Sequence, residues 1–538
     1  MSAPRNQRLA AAKQVAEPAL RRWPARLART LAGLAGLAAL GVGLWLLITP
    51  RAPLAGIERL TLGTTPVTVY RPAGAGPAPA VVIAHGFAAS RQIMEPFALT
   101  LARNGYLALT FDAPGHGQNN APLRGDLADR EGRYRQLRTA LDAVVAHARA
   151  QGDGRVGLVG HSMGSEAVAR YAMERPEIAA TVAVSLVYEG TTATRPANLL
   201  VLTGALEGGL RPLAEAVLVA AAGPEGVPGE TYGDPAAGTG RRVVFVPGAE
   251  HIRVLFHRVS MAEALGWFQA TMPLTAAPPP GAGFLDNRLP ALGLVYTGAV
   301  LLYWPLVHLV QPIGPLGGQA APFPRRGWWA VALVPALLAP PLLRLIPAGD
   351  LLPIRVGGPL ALFFGLYGLL TATGLALLTW GRRAAWSGLA VWRRGILMAV
   401  AAALLVVGYV LLSFGVPTHM FALNYFPPPP RWPVFLAVFA AMLPYFLADE
   451  RLTRGAGAPR GAYALTKGAF FGGLILAIVL NPRELFFLVL IAPLFVVYFA
   501  FYGLLSGLLY RRTGTIVVGA LVNAVLFAWI VATTFPLT

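Results

Sequence analysis

An uncharged apolar run at residues 31–48 is followed, after a gap of some 240 residues, by eight more runs. They lie near 289–310, 328–346, 358–380, 395–416, 432–448, 464–480, 485–509 and 514–535. A helix rises 1.5 Å per residue, so runs of this length just cross a hydrocarbon layer. Backbone groups in such a layer find no water, which leaves helices as the form these runs can take. Nine spanning helices are therefore expected. Composition agrees: 55% of residues are hydrophobic, only 13% are charged, and mean hydropathy is +0.57. Yet the formal net charge is +19. Sparse arginine in an apolar chain is not the dense basic face of a nucleic-acid binder, and the chain is too apolar for a disordered basic tail.

The positive charge reads as topology. Residues 1–30 carry seven Lys/Arg and are expected to be a cytoplasmic tail. Residues 31–49 are then an uncleaved signal anchor rather than a cleaved signal peptide, since the run is longer than a usual signal core and Pro50 and Pro53 follow it. Crossing there puts 50–287 outside, and the later loops alternate. The expected inner loops hold Arg325 and Arg326; Arg382, Arg383, Arg393 and Arg394; Arg451, Arg454, Arg460 and Lys467; Arg511 and Arg512. The outer loops hold only Arg344, Arg355, Arg431 and Arg483. With the tail this is 19 basic residues inside against 4 outside. The C-terminus is expected outside, and the setting a bacterial plasma membrane.

Residues 50–287 have ordinary soluble composition. Apolar, β-rich runs at 67–70, 80–84, 106–111, 156–159, 181–187, 198–202 and 242–246 alternate with helical patterns such as 126–150 and 163–174. Strand–helix alternation with continuous apolar strands predicts a mainly parallel sheet covered on both faces. The Pro/Gly-rich stretch 273–283 reads as a linker to the helical region 288–538.

Chemistry is concentrated in Gly160-His161-Ser162-Met163-Gly164, which follows an apolar strand and precedes a helix. This is G-x-S-x-G in the strand–turn–helix setting of a nucleophile elbow, where a tight turn leaves no room for flanking side chains. His85-Gly86-Phe87, the turn Asp112-Ala113-Pro114-Gly115-His116-Gly117, and His251 follow three further strands in order. Over about residues 60–270 the sequence resembles the α/β-hydrolase family. The likeness is greatest to its cap-poor esterase, dienelactone-hydrolase-like and serine-aminopeptidase-like members.

The resemblance implies acyl transfer by Ser162, with His251 as general base and then general acid. It implies a carboxylate orienting the imidazole. Glu207 stands at the position usual for that acid; Glu189 and then Asp234 are the alternatives. The backbone N–H groups of Phe87 and Met163 are the implied oxyanion donors. His85, His116 and His161 read as loop-ordering groups, and His147 and His257 as solvated or packing residues. Asp126, Asp129 and Glu131 beside Arg130, Arg133, Arg135 and Arg138 read as a salt-bridged exposed face. The connection from Val187 to Asn198 is too short for a cap domain, which predicts an open site.

No metal spacing, phosphate loop or dinucleotide fingerprint is present, so no cofactor is expected. With no cysteine there is no thiol chemistry. The expected partners are membrane lipids and an ester or acyl substrate. Peptidase and acyltransferase chemistry use the same triad. A transporter-like or lipid-sensing role for the eight later helices stays open, with His308, Asn424, Asn523, Asp449 and Glu450 as their polar candidates.

Overall fold

The computed structural model describes all residues except 1–4, 75, 126–127, 317–323, 350, 380–388 and 456. Asp126, Arg382 and Arg383 therefore lie outside the described residues. The continuous apolar runs form strands buried on both faces. In chain order the strands are β1 (Gly56–Leu62), β2 (Thr65–Arg71), β3 (Ala80–Ala84), β4 (Leu107–Phe111), β5 (Val156–His161), β6 (Ile178–Val184), β7 (Leu199–Gly204), β8 (Thr231–Tyr232) and β9 (Arg241–Val246). They make one sheet in the order β1-β2-β4-β3-β5-β6-β7-β9-β8. The six from β4 through β9 in that order are parallel; β1, β2 and β8 add antiparallel edges. The helices Glu95–Arg103 and Arg258–Thr271 supply apolar side chains to one face. Arg130–Gln151 and Met163–Glu174 supply them to the other. The six parallel strands run the same way, so their C-termini, where ligands bind in such sheets, share one rim.

β1 and β8 escape prediction because little of either is buried. β6 ends at Val184, three residues before the apolar run does, because Ser185 turns the chain at φ 53°. The charged face of Arg130–Gln151 is tied to other segments as well as to itself: Arg130 and Arg133 bond Glu166, and Arg170 bonds Glu131.

Among the described residues nine helices are long and apolar enough to cross a membrane. The first is continuous from Arg5 to Ile48 and runs antiparallel to Leu289–Leu306. The two backbones meet through glycine. A Cβ at Gly36 would lie 2.8 Å from the Gly298 carbonyl oxygen, and one at Gly298 would lie 2.7 Å from that of Gly36. Small residues at this spacing allow the close approach that helices without a hydrophobic driving force depend on. The segment is thus docked along its length, which is more than an anchor requires.

The remaining helices form a bundle with a large aromatic core around Phe364, Tyr445, Phe470, Phe499 and Phe527. Lys467, expected in a loop, lies inside the helix Ala462–Leu480, buried, and donates to Asp449 at 2.6 Å. Glu450 pairs one turn along its own helix with Arg454 at 2.7 Å. Asp449, one residue earlier, faces the neighbouring helix and pairs with Lys467 there.

The sheet domain sits on the bundle through specific polar contacts. Arg288 is buried between Asp286 and Glu95 and also donates to the Phe421 carbonyl at 2.8 Å. Arg431, fully buried, donates to the Ala532 and Phe535 carbonyls of the bundle and to Gly115 of the sheet domain. Arg355 donates to the Gly125 carbonyl at 2.6 Å. Asn424 accepts from Gln118 Nε2 at 2.6 Å, and its backbone N–H donates to Ser90 Oγ at 2.8 Å. Leu537 exchanges backbone hydrogen bonds with Gly115 and Leu123. Arg355, Arg431 and Leu537 thus share one end of the bundle with the sheet domain.

Candidate active site

Strand β5 ends in the turn that presents Ser162. Its backbone holds φ 53°, ψ −117°, outside the regions that L-residues favour. Two glycines make this possible. A Cβ at Gly160 would sit 2.2 Å from the Gly164 carbonyl oxygen, and one at Gly164 would sit 2.6 Å from those of Ala84 and His85. The Ser162 N–H donates to the Val184 carbonyl at 3.0 Å, which ties the turn to β6.

Ser162 Oγ donates to His251 Nε2 at 3.1 Å. On the far side of the ring, His251 Nδ1–H donates to Glu207 Oε1 at 2.5 Å. The second Glu207 oxygen accepts from the Gly204 N–H at 2.6 Å and from Ser185 Oγ at 2.8 Å. Three of the sequence candidates are therefore joined in one relay. Glu189 and Asp234 are not part of it. Both are exposed, and Asp234 accepts from the Ala236 N–H within its own loop.

Met163 follows Ser162 directly, and Phe87 lines the cavity above it. Met163 is the first residue of its helix, where N–H groups have no intrahelical acceptor. The loop before Phe87 lies against the nucleophile, since a Cβ at Gly86 would be 3.1 Å from Ser162 Cβ. His85 holds this loop in place. Its Nε2 accepts the Ala113 N–H at 3.0 Å, so the ring proton sits on Nδ1 and is donated to the Gly86 carbonyl at 2.7 Å.

His161 Nε2–H donates to the His251 backbone carbonyl at 2.9 Å and so fixes the loop that carries the base. Burial pushes the pKa of His161, and likewise that of His116, well below the usual histidine range, and lowers that of His85. All three rings are held neutral. His257 accepts the Val259 N–H and caps the last helix of the sheet domain. His147 is half-buried.

Two features had no sequence signal. Ser185 is hidden in an unbroken apolar run, and only its backbone turn aims it at Glu207. The other is a roof. The site is not open: a cavity of about 170 Å³ above Ser162 is bounded by Phe487, Ile491, Leu494, Phe495 and Tyr498 of one bundle helix and by Ile530 of the next. Phe87 and Phe487 meet edge to face at 4.7 Å. The short Val187–Asn198 connection does exclude an inserted cap. Bundle helices from more than 200 residues later in the chain occupy its place. Among the described residues no group of three His, Cys, Asp or Glu side chains could hold a metal ion.

Residues 75–212 match the family model described as serine aminopeptidase, S33. A curated relative, esterase YjfP of Escherichia coli (strain K12), is 30% identical over 137 residues, which are 24% of this chain and 54% of that protein. The chain thus spans about half the length of the curated relative it matches. Among solved structures, a dienelactone hydrolase from Anabaena variabilis is 20% identical, covering 40% of this chain and 98% of its own, with a TM-score of 0.29. A hypothetical protein from Pseudomonas aeruginosa is 14% identical, covering 41% and 95%, with a TM-score of 0.32.

Proposed function

From the premise that this chain carries an α/β-hydrolase domain, we propose that it is a membrane-embedded serine hydrolase that cleaves a carboxylic ester. The observation that carries the proposal is the relay Glu207–His251–Ser162, made at hydrogen-bond distances from the ends of three different strands. Ser162 Oγ bonds to the ester carbonyl carbon as its proton passes to His251 Nε2. The C–O bond to the leaving alcohol breaks, and the alcohol takes that proton. Water then repeats both transfers on the acyl-serine, which releases a carboxylic acid and restores Ser162. The N–H groups of Phe87 and Met163 bind the oxyanion formed at each stage. Glu207 holds the imidazole with its bare nitrogen toward the serine and stabilises its charged form.

An ester is favoured over a peptide. Among the described residues lining the cavity none is acidic, so nothing there would hold the ammonium that an aminopeptidase must bind. In this reading residues 50–287 face outward from a bacterial plasma membrane and the basic N-terminal tail is cytoplasmic. A membrane-impermeant fluorophosphonate should then label sealed, right-side-out cells. Ser162→Ala should abolish both labelling and hydrolysis of short acyl esters. Labelling only after permeabilisation would reverse the orientation, and wild-type turnover in Ser162→Ala would refute the mechanism.

A further inference from the structure

The cavity above Ser162 is walled by the bundle. Ile491, Leu494, Phe495 and Tyr498 recur at spacings of three and four residues, so they share one face of the helix Leu488–Thr513, and Phe487 at its N-cap continues that row. From Phe487 to Tyr498 that face runs about 16 Å along the helix axis. The polar lining residues are Ser162, His161 and His251 of the sheet domain, with Tyr498 and Thr534 among the otherwise apolar bundle residues. A narrow apolar slot with an acyl-transfer group at its head has the shape of a binding site for a hydrocarbon chain joined to a carbonyl.

The mouth of the slot points to where that chain comes from. Two lining residues are both apolar and exposed: Ile252, next to the catalytic base, at 41%, and Leu494 at 47%. Val497, three residues on, continues this exposed apolar surface, and Val489 and Val496 are apolar and exposed elsewhere on the same helix. A patch of this kind on one of the membrane-spanning helices is covered by lipid. The entrance therefore opens beside the hydrocarbon layer, at the end of the bundle that carries the hydrolase domain.

We propose that this slot is the acyl-chain site for a membrane lipid. The lipid would enter sideways between Ile252 and Leu494, so that its ester carbonyl reaches Ser162 while its chain never passes through water. The proposal rests on the serine-hydrolase reading and names the substrate class for that same site. The bond changes are those already given, with the lipid's glycerol oxygen as leaving group and a fatty acid as product.

The full chain reconstituted in vesicles tests this. Hydrolysis of p-nitrophenyl acetate and p-nitrophenyl palmitate is measured, together with fatty-acid release from phosphatidylethanolamine vesicles. Rates are expressed per Ser162 that reacts with a short-chain fluorophosphonate, so that misfolded protein is not counted. Palmitate should exceed acetate in kcat/KM by at least tenfold. Ile491→Trp, which fills the slot, should lower the palmitate-to-acetate ratio at least tenfold, and Leu494→Trp, which narrows the mouth, should lower it in the same direction. Fatty-acid release should fall with that ratio. A flat chain-length profile in the wild type would overturn the proposal, as would an unchanged ratio in both variants or no release from vesicles. Acetate turnover per mole of protein that survives Ser162→Ala would instead refute the hydrolase reading itself.

Discussion

Ser185 is joined to the chemistry through Glu207 alone. Its hydroxyl supplies one of the two donors to the carboxylate oxygen that faces away from His251. Ser185→Ala leaves the Gly204 N–H in place, so the carboxylate keeps its charge but is held less firmly. We expect kcat to fall by about tenfold with KM nearly unchanged, since the loss is felt mainly where the imidazolium forms. Glu207→Gln removes the charge and should cost about 10³–10⁴-fold. His85, His116 and His161 carry a different consequence. Burial depresses their folded pKa values, so they stay neutral where an unfolded chain would take up protons. The stability this provides is complete above the unfolded histidine range, near pH 6.5. It is lost as pH falls from there toward the folded values, at up to about 1.4 kcal/mol per pH unit for each ring. Thermal unfolding of the hydrolase domain between pH 7 and pH 5 should show this slope, and His116→Phe should reduce it. Ser162 stood out by its motif and its strand–turn–helix setting, and His251 and Glu207 by the positions that the family resemblance implies. Ser185 did not, because φ at a single residue inside Thr181–Val187 leaves no mark on hydropathy.

At the scale of elements, the glycines at 36 and 298 matter more than the apolar run that contains the first of them. Each backbone lies where the other's Cβ would be. Gly298→Leu should therefore separate the first helix from its neighbour. We expect a lower unfolding temperature in detergent and new protease sensitivity near Thr49–Arg51, while Gly293→Leu, whose position has open space, should behave as wild type. The apolar runs announce helices because backbone in lipid has few alternatives. Their partners are set by packing, which hydropathy does not record. Asp449 and Lys467 show the same limit. Both are visible as charges in an oily segment, but only the way two helices face each other decides that they pair.

Across the whole molecule, the two halves of the sequence read as separate proteins, a hydrolase and a bundle. Composition changes sharply near residues 50 and 288, and that change is all a linear reading can use. The structure joins the halves. Arg288, Arg431 and Asn424 tie them together, and Phe87 packs on Phe487 over the nucleophile. The open site expected from the missing cap was the natural reading of the first half alone. The lid belongs to the second half, and no local pattern in residues 50–287 could reveal it. This division also sets a timetable for synthesis. Roughly 240 residues separate His251 from Phe487, so a ribosome adding 5–20 residues each second finishes the catalytic relay on the order of 10–50 s before the lid exists. In that interval the newborn domain carries Ser162, His251 and Glu207 with no roof above them, and the roof arrives only with the last helices to be made.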